Sequence, residues 1–98
     1  MKIWLDDLRP APAGFVWCRS VNEAKRLIAE QETSQPIECI DCDHDLGDYA
    51  DDGGDGIRLL DWFLERGTLY PVALHTMNPV GRDNMRRMLQ RHWMKEKT

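Results

Sequence analysis

The chain has 98 residues, of which 42% are hydrophobic and 31% are charged, a composition typical of a soluble globular protein. Its length predicts one domain over residues 1–98, in which nearly every element contributes to a single core. The net charge is −4, and no apolar run approaches the roughly 20 residues that a membrane-spanning helix needs, so no membrane span is expected.

The first seven residues contain one lysine and end in two acids. A secretory signal peptide has a basic start followed by a longer apolar segment, which this stretch does not resemble. Three cysteines are an odd number, which suits a reducing compartment better than paired disulfides. The sequence therefore predicts a cytoplasmic location.

The first part of the chain predicts two strands and a helix. Residues 2–5 alternate as a first strand, a turn-rich loop covers residues 9–14, and residues 15–18 form a second strand. Ser20 followed by Glu23 is a capping box, so a helix begins just after Ser20. The apolar stripe of this helix fades near Gln31 and consists of Ala24, Leu27 and Ile28.

The second part predicts two further strands and two helices. Residues 37–42 form a central strand, because few of its positions are strongly polar. Asp55 is the expected cap of a helix that ends at Gly67. Residues 70–75 form the fourth strand. Asn78 and the proline after it begin a last helix, which continues to the end of the chain.

Strands that alternate with helices predict an α/β fold: a small three-layer sandwich around a parallel sheet of about four strands with right-handed crossovers. In such a sheet the carboxyl ends of the strands share one crevice where ligands bind. Asp6 follows the first strand, Asp43 the third, and Thr76 the fourth. We therefore expect these groups to converge on one site.

The acids at these strand ends predict a metal site. Asp6, Asp7 and Asp43 would place negative charges close together, which costs free energy unless a cation lies among them or one binds a proton. A divalent ion such as Mg²⁺ or Mn²⁺ uses a few carboxylates and keeps several waters. Asp45 is a further candidate ligand, or the group that orients His44. In the alternative, Asp6 caps a loop and Asp43 is solvated.

His44 and His75 are predicted as an acid–base pair. In hydrolysis of a cyclic phosphodiester, one imidazole can activate water while the other protonates the departing ribose oxygen, because imidazoles titrate near neutral pH. In the alternative, His75 is packed and hydrogen-bonded at the strand end, and His44 only orients Asp43 or Asp45. The metal and histidine roles can also exclude each other.

Three residues are predicted to bind phosphate. Arg82 lies in the first turn of the last helix, where N–H groups near Val80 and the helix dipole attract anions, and arginine contacts phosphate with two donors. Arg9 reaches the same place from the first loop, and the Thr76 hydroxyl can donate to a phosphate oxygen. The alternatives are two surface arginines and a threonine that begins a turn. Asn78 is expected to cap the helix rather than bind a ligand.

The distribution of charge supports an anion site beside the acids. Residues 38–61 contain nine acids and one base, whereas residues 82–98 contain six bases and two acids. An acidic centre beside a basic helix can hold a cation and an anion together. A solvated helix face remains the alternative for most of these bases. They are Arg82, Arg86, Arg87, Arg91, Lys95 and Lys97.

Asp6, Asp7, Asp43 and Thr76 together resemble the pattern of response-regulator receiver domains. The resemblance extends over nearly the whole chain, but the last receiver strand and helix, with the lysine of that strand, are missing. Three segments are more closely similar to a receiver-like family described as processing cyclic phosphates. They are WLDDLRP at residues 4–10, DHDLG at 43–47 and HTMNPVGR at 75–82.

The resemblance implies a receiver/flavodoxin-like domain that opens a cyclic phosphate. The expected partner is a phosphate-bearing nucleotide or RNA end, and neither DNA nor a membrane is expected. Two alternatives stay open: a degenerate receiver phosphorylated on Asp43, and a module that binds a cyclic nucleotide or a partner without chemistry. The sequence does not predict the oligomeric state.

Overall fold

The structure, a computed structural model, describes residues 1–94. Lys95 and Lys97, two of the bases assigned above to the last segment, lie outside the described residues. No helix among residues 1–94 is long and apolar enough to cross a membrane. The elements are β1 (Lys2–Leu5), β2 (Phe15–Cys18), α1 (Val21–Gln31), β3 (Cys39–Cys42), a 3-10 helix (Gly47–Asp51), α2 (Ile57–Arg66), β4 (Val72–Leu74) and α3 (Pro79–His92).

The four strands form one parallel sheet in the order β2-β1-β3-β4. In the register of the sheet, Ile3 of β1 lies beside Val16 of β2 and Ile40 of β3. The predicted receiver/flavodoxin-like α/β fold with about four parallel strands is confirmed, and residues 1–94 contain no fifth strand.

The helices cover only one face of this sheet. The crossovers through α1 and α2 advance in the same direction across the sheet, so right-handed connections place both helices on one side, and α3 packs against α2. Residues 6–14 join the parallel neighbours β1 and β2 without a helix, although such connections usually contain one. The three-layer arrangement is therefore corrected to two layers for the described residues.

The two faces of the sheet differ accordingly. The covered face buries Ile3, Leu5, Ile40 and Cys42 completely against the helices, and a fully buried large apolar side chain contributes about 1.5–3 kcal/mol. Alternate residues of the strands point to the opposite side, which we call the open face, and none of them is fully buried. The open face carries Lys2, Trp4, Phe15, Trp17, Cys39, Asp41 and Ala73.

The predicted caps Ser20 and Asn78 mark the starts of α1 and α3, whereas the predicted cap Asp55 does not mark the start of α2. The Ser20 side chain accepts from the Glu23 N–H at 3.0 Å, as the capping box predicts. Asp55 was the expected cap of α2, but the cap residue is Gly56, which makes no side-chain capping bond. The Asp55 carboxylate instead accepts from the Leu46 N–H at 3.1 Å, because the acidic loop before α2 folds back on itself.

The predicted element bounds are too long at three places. The third strand begins at Cys39 instead of residue 37, and the fourth covers only Val72–Leu74. The fourth strand lies at the edge of the sheet and follows a proline, which cannot donate to the ladder. The last helix ends at His92, where Trp93 is the C-terminal cap, rather than continuing to the end of the chain.

Candidate functional site

Three loops, each at the carboxyl end of a strand, meet around an open cavity of about 380 Å³. This volume lies at the lower end of the range of small-molecule sites, about 300–1,000 Å³. The loops follow β1, β3 and β4, as an open parallel sheet favours. The polar residues that line the cavity include Asp6, Asp7, Arg9, Asp43, Asp45 and Thr76.

Asp6 is completely buried and is held from several sides. Its Oδ1 accepts from the backbone N–H groups of Leu8 and Arg9, both at 2.8 Å. Its Oδ2 lies 2.9 Å from His75 Nε2 and 3.2 Å from Arg9 Nε. Burial by itself raises the pKa of Asp6, but the two backbone donors and His75 outweigh it and hold the pKa below its usual value. Asp6 therefore caps the loop as an ionised carboxylate.

The pKa of Asp43 is shifted in the opposite direction from that of Asp6. The Asp43 carboxylate accepts from the His44 N–H at 2.8 Å and from the Thr76 hydroxyl. Burial raises the pKa of Asp43, the Thr76 donor only partly offsets this, and the negative charge of Asp6 raises it further. The alternative of a solvated Asp43 is corrected, since the residue is 8% exposed. A cation beside Asp43 would relieve this unfavourable charge.

Asp7 is fixed at the wall of the cavity. Its carbonyl oxygen accepts from Arg19 Nε at 3.0 Å and Nη2 at 2.7 Å. Gly47 faces its side chain, and a Cβ built on Gly47 would lie 2.6 Å from Asp7 Oδ2. Gly47 also has a φ of +55°, a conformation that favours glycine. The acid-rich loop thus approaches Asp7 as closely as only glycine permits.

Arg9 is the cation that the chain itself supplies to these acids. Its Nη2 lies 3.9 Å from Asp43 Oδ2 and donates to the His75 carbonyl at 3.3 Å, while its Nε faces Asp6. The Arg9 side chain remains about half exposed. Arg9 lines the cavity. The sequence predicts that Arg9 binds phosphate there, and that role stays a prediction.

Arg82 lies differently from the sequence-based expectation. Its guanidinium donates to the Thr76 carbonyl, and Arg82 is not among the residues that line the cavity. The N–H groups of Val80 and Gly81, expected to be available to an anion, donate to the Asn78 side chain at 3.0 and 3.1 Å. Asn78 is therefore the helix cap, as predicted, and its amide oxygen takes the place of an anion.

Both ring nitrogens of His75 contact carboxylates. Nδ1 lies 2.7 Å from Asp41 Oδ1, and Nε2 lies 2.9 Å from Asp6 Oδ2. The Trp4 ring stacks on the imidazole at 3.7 Å between centroids and 4° between planes. Two such contacts require either an imidazolium that donates twice or a proton on one carboxylate. In this arrangement neither nitrogen faces the cavity.

His44 reaches the cavity through its neighbour. Its Nδ1 lies 2.7 Å from Asp45 Oδ1, and Asp45 lines the cavity although the His44 ring does not. Asn78 Nδ2 donates to both oxygens of Asp45, at 3.1 and 3.2 Å. The His44 ring packs on α3, because a Cβ built on Gly81 would lie 2.4 Å from His44 Cγ. The two imidazoles therefore belong to separate clusters of acids.

The acidic wall fits a hard divalent cation. Ligand atoms of Asp6, Asp43 and His75 lie within 4.8 Å of one another, and Asp7 lines the same cavity. Both ring nitrogens of His75 already contact carboxylates, so the ligands available to a cation are the carboxylate oxygens. Carboxylate oxygens are the ligands such an ion prefers. The pKa of Asp43 is raised first by burial and then by the charge of Asp6, and a cation would offset both effects. Because both oxygens of Asp6 already have partners, a cation there would take over the contact of Arg9 Nε.

Sequence reasoning missed Asp41 and Trp4 as parts of the site. Both lie inside strands, where an acid and an aromatic residue are usually assigned to solvent and packing. The available signal was the two-residue period, which places Trp4 with Asp6, and Asp41 with Asp43, on one face of the sheet. His75 reaches across two strands to Asp6, and no local sequence pattern predicts such a contact.

Comparison with curated proteins and with solved structures gives no significant match. A family model, described as a cyclic-phosphate processing receiver domain, matches residues 1–91.

Proposed function

Because the chain belongs to the family of cyclic-phosphate processing receiver domains, we propose that it hydrolyses a cyclic phosphate of a nucleotide or an RNA end. The observation that carries this proposal is the cavity, in which four carboxylates face one arginine and one threonine hydroxyl. Carboxylates suit a divalent cation, and the two donors suit phosphate oxygens. The proposed reaction class is phosphodiester hydrolysis.

In this reaction a water oxygen bonds to phosphorus while one of the two ester P–O bonds of the ring breaks. The attacking water gives its proton to the Asp45 carboxylate, the member of the His44–Asp45 pair that lines the cavity, and His44 Nδ1 takes the proton from Asp45. The departing ribose oxygen takes a proton from a solvent water, and His44 returns its proton through Asp45 to the hydroxide that this leaves. The product is a phosphate monoester with a free hydroxyl. His44 suits the role of proton acceptor behind Asp45, because its Nδ1 lies 2.7 Å from Asp45 Oδ1.

His75 receives a different role in this proposal from the one that the sequence predicts. Direct proton transfer to the substrate would require His75 to give up Asp41 or Asp6, each within 2.9 Å of a ring nitrogen. We therefore assign His75 to holding Asp6. The two-histidine scheme remains open to test, since His75→Gln would then reduce turnover as strongly as His44→Ala.

The remaining residues bind and orient. Asp6, Asp7 and Asp43 would hold a divalent cation such as Mg²⁺ or Mn²⁺, which neutralises charge on phosphate oxygens when bound. Arg9 and Thr76, which both line the cavity, would contact the phosphate. Arg82 supports Thr76 through its carbonyl oxygen rather than contacting phosphate itself.

The test is incubation with a panel of cyclic nucleotides and cyclic RNA ends, with and without Mg²⁺ or Mn²⁺, with mass spectrometry of the products. His44→Ala should lower turnover by about 10²–10⁴-fold, the usual contribution of a positioned acid or base. His92→Ala, at the end of α3, is the matched control and should leave turnover unchanged. No turnover on any compound, or equal turnover by His44→Ala, would remove the enzymatic proposal. Tight binding without product would favour the binding module.

A second candidate is supported by two contacts at Asp43. Arg9 Nη2 and the Thr76 hydroxyl both approach the Asp43 carboxylate, which suits stabilisation of a phosphoryl group there. In that reaction an Asp43 oxygen bonds to phosphorus as the P–O bond of the donor breaks. Acetyl phosphate with Mg²⁺ should then add the mass of one phosphoryl group to the wild type and not to Asp43→Asn. An unchanged mass of the wild type would count against this candidate.

A further inference from the structure

We infer that Asp41 is a positioning residue: acting through His75, it fixes the Asp6 carboxylate at the edge of the cavity. The inference rests on the proposed function only for its effect on turnover. Its structural content, a chain of contacts from Asp41 through His75 to Asp6, is independent of any substrate.

The geometry of the open face explains how such distant residues meet. Trp4 of β1, Asp41 of β3 and Ala73 of β4 lie side by side in the register of the sheet. Asp6 and His75 come two residues after Trp4 and Ala73, directly past the ends of β1 and β4, and continue the same face one row further along. The imidazole of His75 therefore crosses β3 diagonally and reaches groups that belong to β1.

Three contacts determine the orientation of this imidazole. Asp41 binds Nδ1 at 2.7 Å, Asp6 binds Nε2 at 2.9 Å, and Trp4 stacks on the ring face at 3.7 Å. The His75 side chain is only 13% exposed and the Asp41 side chain 23%. A carboxylate that holds one nitrogen of a histidine fixes the direction in which the other nitrogen points. Asp41 thereby fixes the orientation in which the His75 ring meets Asp6.

Asp6 depends on His75 because only His75 and Arg9 contact its Oδ2 atom among the described residues. Its Oδ1 is held by two backbone N–H groups, and Oδ2 is shared between His75 and Arg9. Without His75, Oδ2 would retain only Arg9, whose Nη2 also approaches Asp43 at 3.9 Å. Asp41 therefore influences how firmly Arg9 is held at Asp6. A firmly held Arg9 is less available to a phosphate, and it competes with a cation for the Asp6 carboxylate.

The position of Asp41 makes the test possible without loss of the fold. Asp41 lies on the open face, opposite the apolar core, so its truncation creates no cavity among the buried core residues. Asp41→Asn keeps the shape and one acceptor oxygen, whereas Asp41→Ala removes both. Asp83→Asn, at an exposed acid of α3, is the matched control for lost charge.

The first experiment follows the amide signals of Leu8 and Arg9 by ¹H–¹⁵N NMR, because both N–H groups donate to Asp6 Oδ1. Asp41→Ala and His75→Gln should both shift these signals, Asp41→Asn should shift them less, and Asp83→Asn should leave them unchanged. The Asp41→Ala/His75→Gln double variant should shift them no further than His75→Gln alone, because Asp41 acts through His75. Unchanged signals in Asp41→Ala, or additive shifts, would overturn the inference.

The second experiment measures turnover and Mg²⁺ affinity of the same variants. Asp41→Ala should lower kcat/KM or Mg²⁺ affinity by about 10–100-fold, as loss of a group behind a metal or acid–base residue typically does, with partial recovery in Asp41→Asn. Full activity and full Mg²⁺ affinity in Asp41→Ala would overturn the functional part. If the wild type itself neither turns over nor binds Mg²⁺, the proposed function fails while the NMR result still decides the role of Asp41.

Discussion

Asp6 and Asp43 are neighbouring acids at one cavity, yet their pKa values move in opposite directions. The difference has a structural cause. Asp6 receives two backbone donors and the His75 ring, which together outweigh its burial. Asp43 is dominated by burial and feels the charge of Asp6. One carboxylate thus stabilises the fold in its ionised form, while the other is held ionised against a cost.

This contrast predicts opposite effects of two equivalent substitutions on the free energy of unfolding. The lowered pKa of Asp6 gives stability above the unfolded-state value of about 3.9, which is lost as the pH falls through the folded-state pKa. The raised pKa of Asp43 gives the reverse, stability that is present below the unfolded-state pKa and lost as the pH rises through the folded-state pKa. At pH 7 without divalent ions, Asp6→Asn should therefore destabilise by about 1–3 kcal/mol, and Asp43→Asn should stabilise.

Urea denaturation at several pH values measures both effects. The gain in Asp43→Asn should disappear toward about pH 3, where carboxylates of both states are protonated. Equal destabilisation by the two substitutions at pH 7 would contradict the assignment of their charges. The sequence predicted that these acids meet, because each follows a strand. It did not predict their opposite behaviour, because the deciding donors come from a loop and from a residue 69 positions away.

Among the elements, α3 is tied to the cavity by Gly81, which packs directly against the His44 ring. Alanine is usually better than glycine inside a helix by about 0.8–1 kcal/mol. In Gly81→Ala the new Cβ would lie 2.4 Å from His44 Cγ, so the substitution should destabilise the fold or displace the imidazole. Adding Gly81→Ala to His44→Ala should instead stabilise, because the ring is then absent.

A double-mutant cycle in urea denaturation isolates this contact, and its sign reversal is the expected signature. Gly81→Ala that stabilises the wild type as much as it stabilises His44→Ala would rule out the close packing. The His44 ring signals in NMR report its displacement independently of stability. Because His44 lies beside Asp45, the same substitution should also weaken the proposed base.

The helix caps and the layers of the fold show which features local sequence signals can predict and which they cannot. Ser20 and Asn78 were predicted as caps and are caps, since their bonds lie within three residues of chain. Asp55 looked equally suitable, but a loop donor at Leu46 takes its carboxylate. The number of layers was also beyond local pattern, because it depends on whether residues 6–14 form a helix between two strands that are adjacent in space.

For the whole molecule, the net charge of −4 is concentrated where the sheet ends. Asp6, Asp7, Asp43 and Asp45 line one cavity, and Arg9 is the basic residue that lines it with them. Such a distribution opposes folding through repulsion and favours any ligand that brings positive charge. The stability of the molecule should therefore depend on divalent cations.

Mg²⁺ should raise the free energy of unfolding by RT ln(1 + [Mg²⁺]/Kd), which is about 1.4 kcal/mol at a concentration ten times Kd. Thermal unfolding with increasing MgCl₂ measures this effect, and NaCl at equal ionic strength controls for screening, which acts on exposed charges. Asp7→Asn is the informative variant, because the Asp7 carboxylate accepts no hydrogen bond from residues 1–94 and its loss spares the fold. This variant should lose most of the Mg²⁺ effect. An equal shift in Asp7→Asn, or an equal shift from NaCl, would mean that the cavity does not hold the ion.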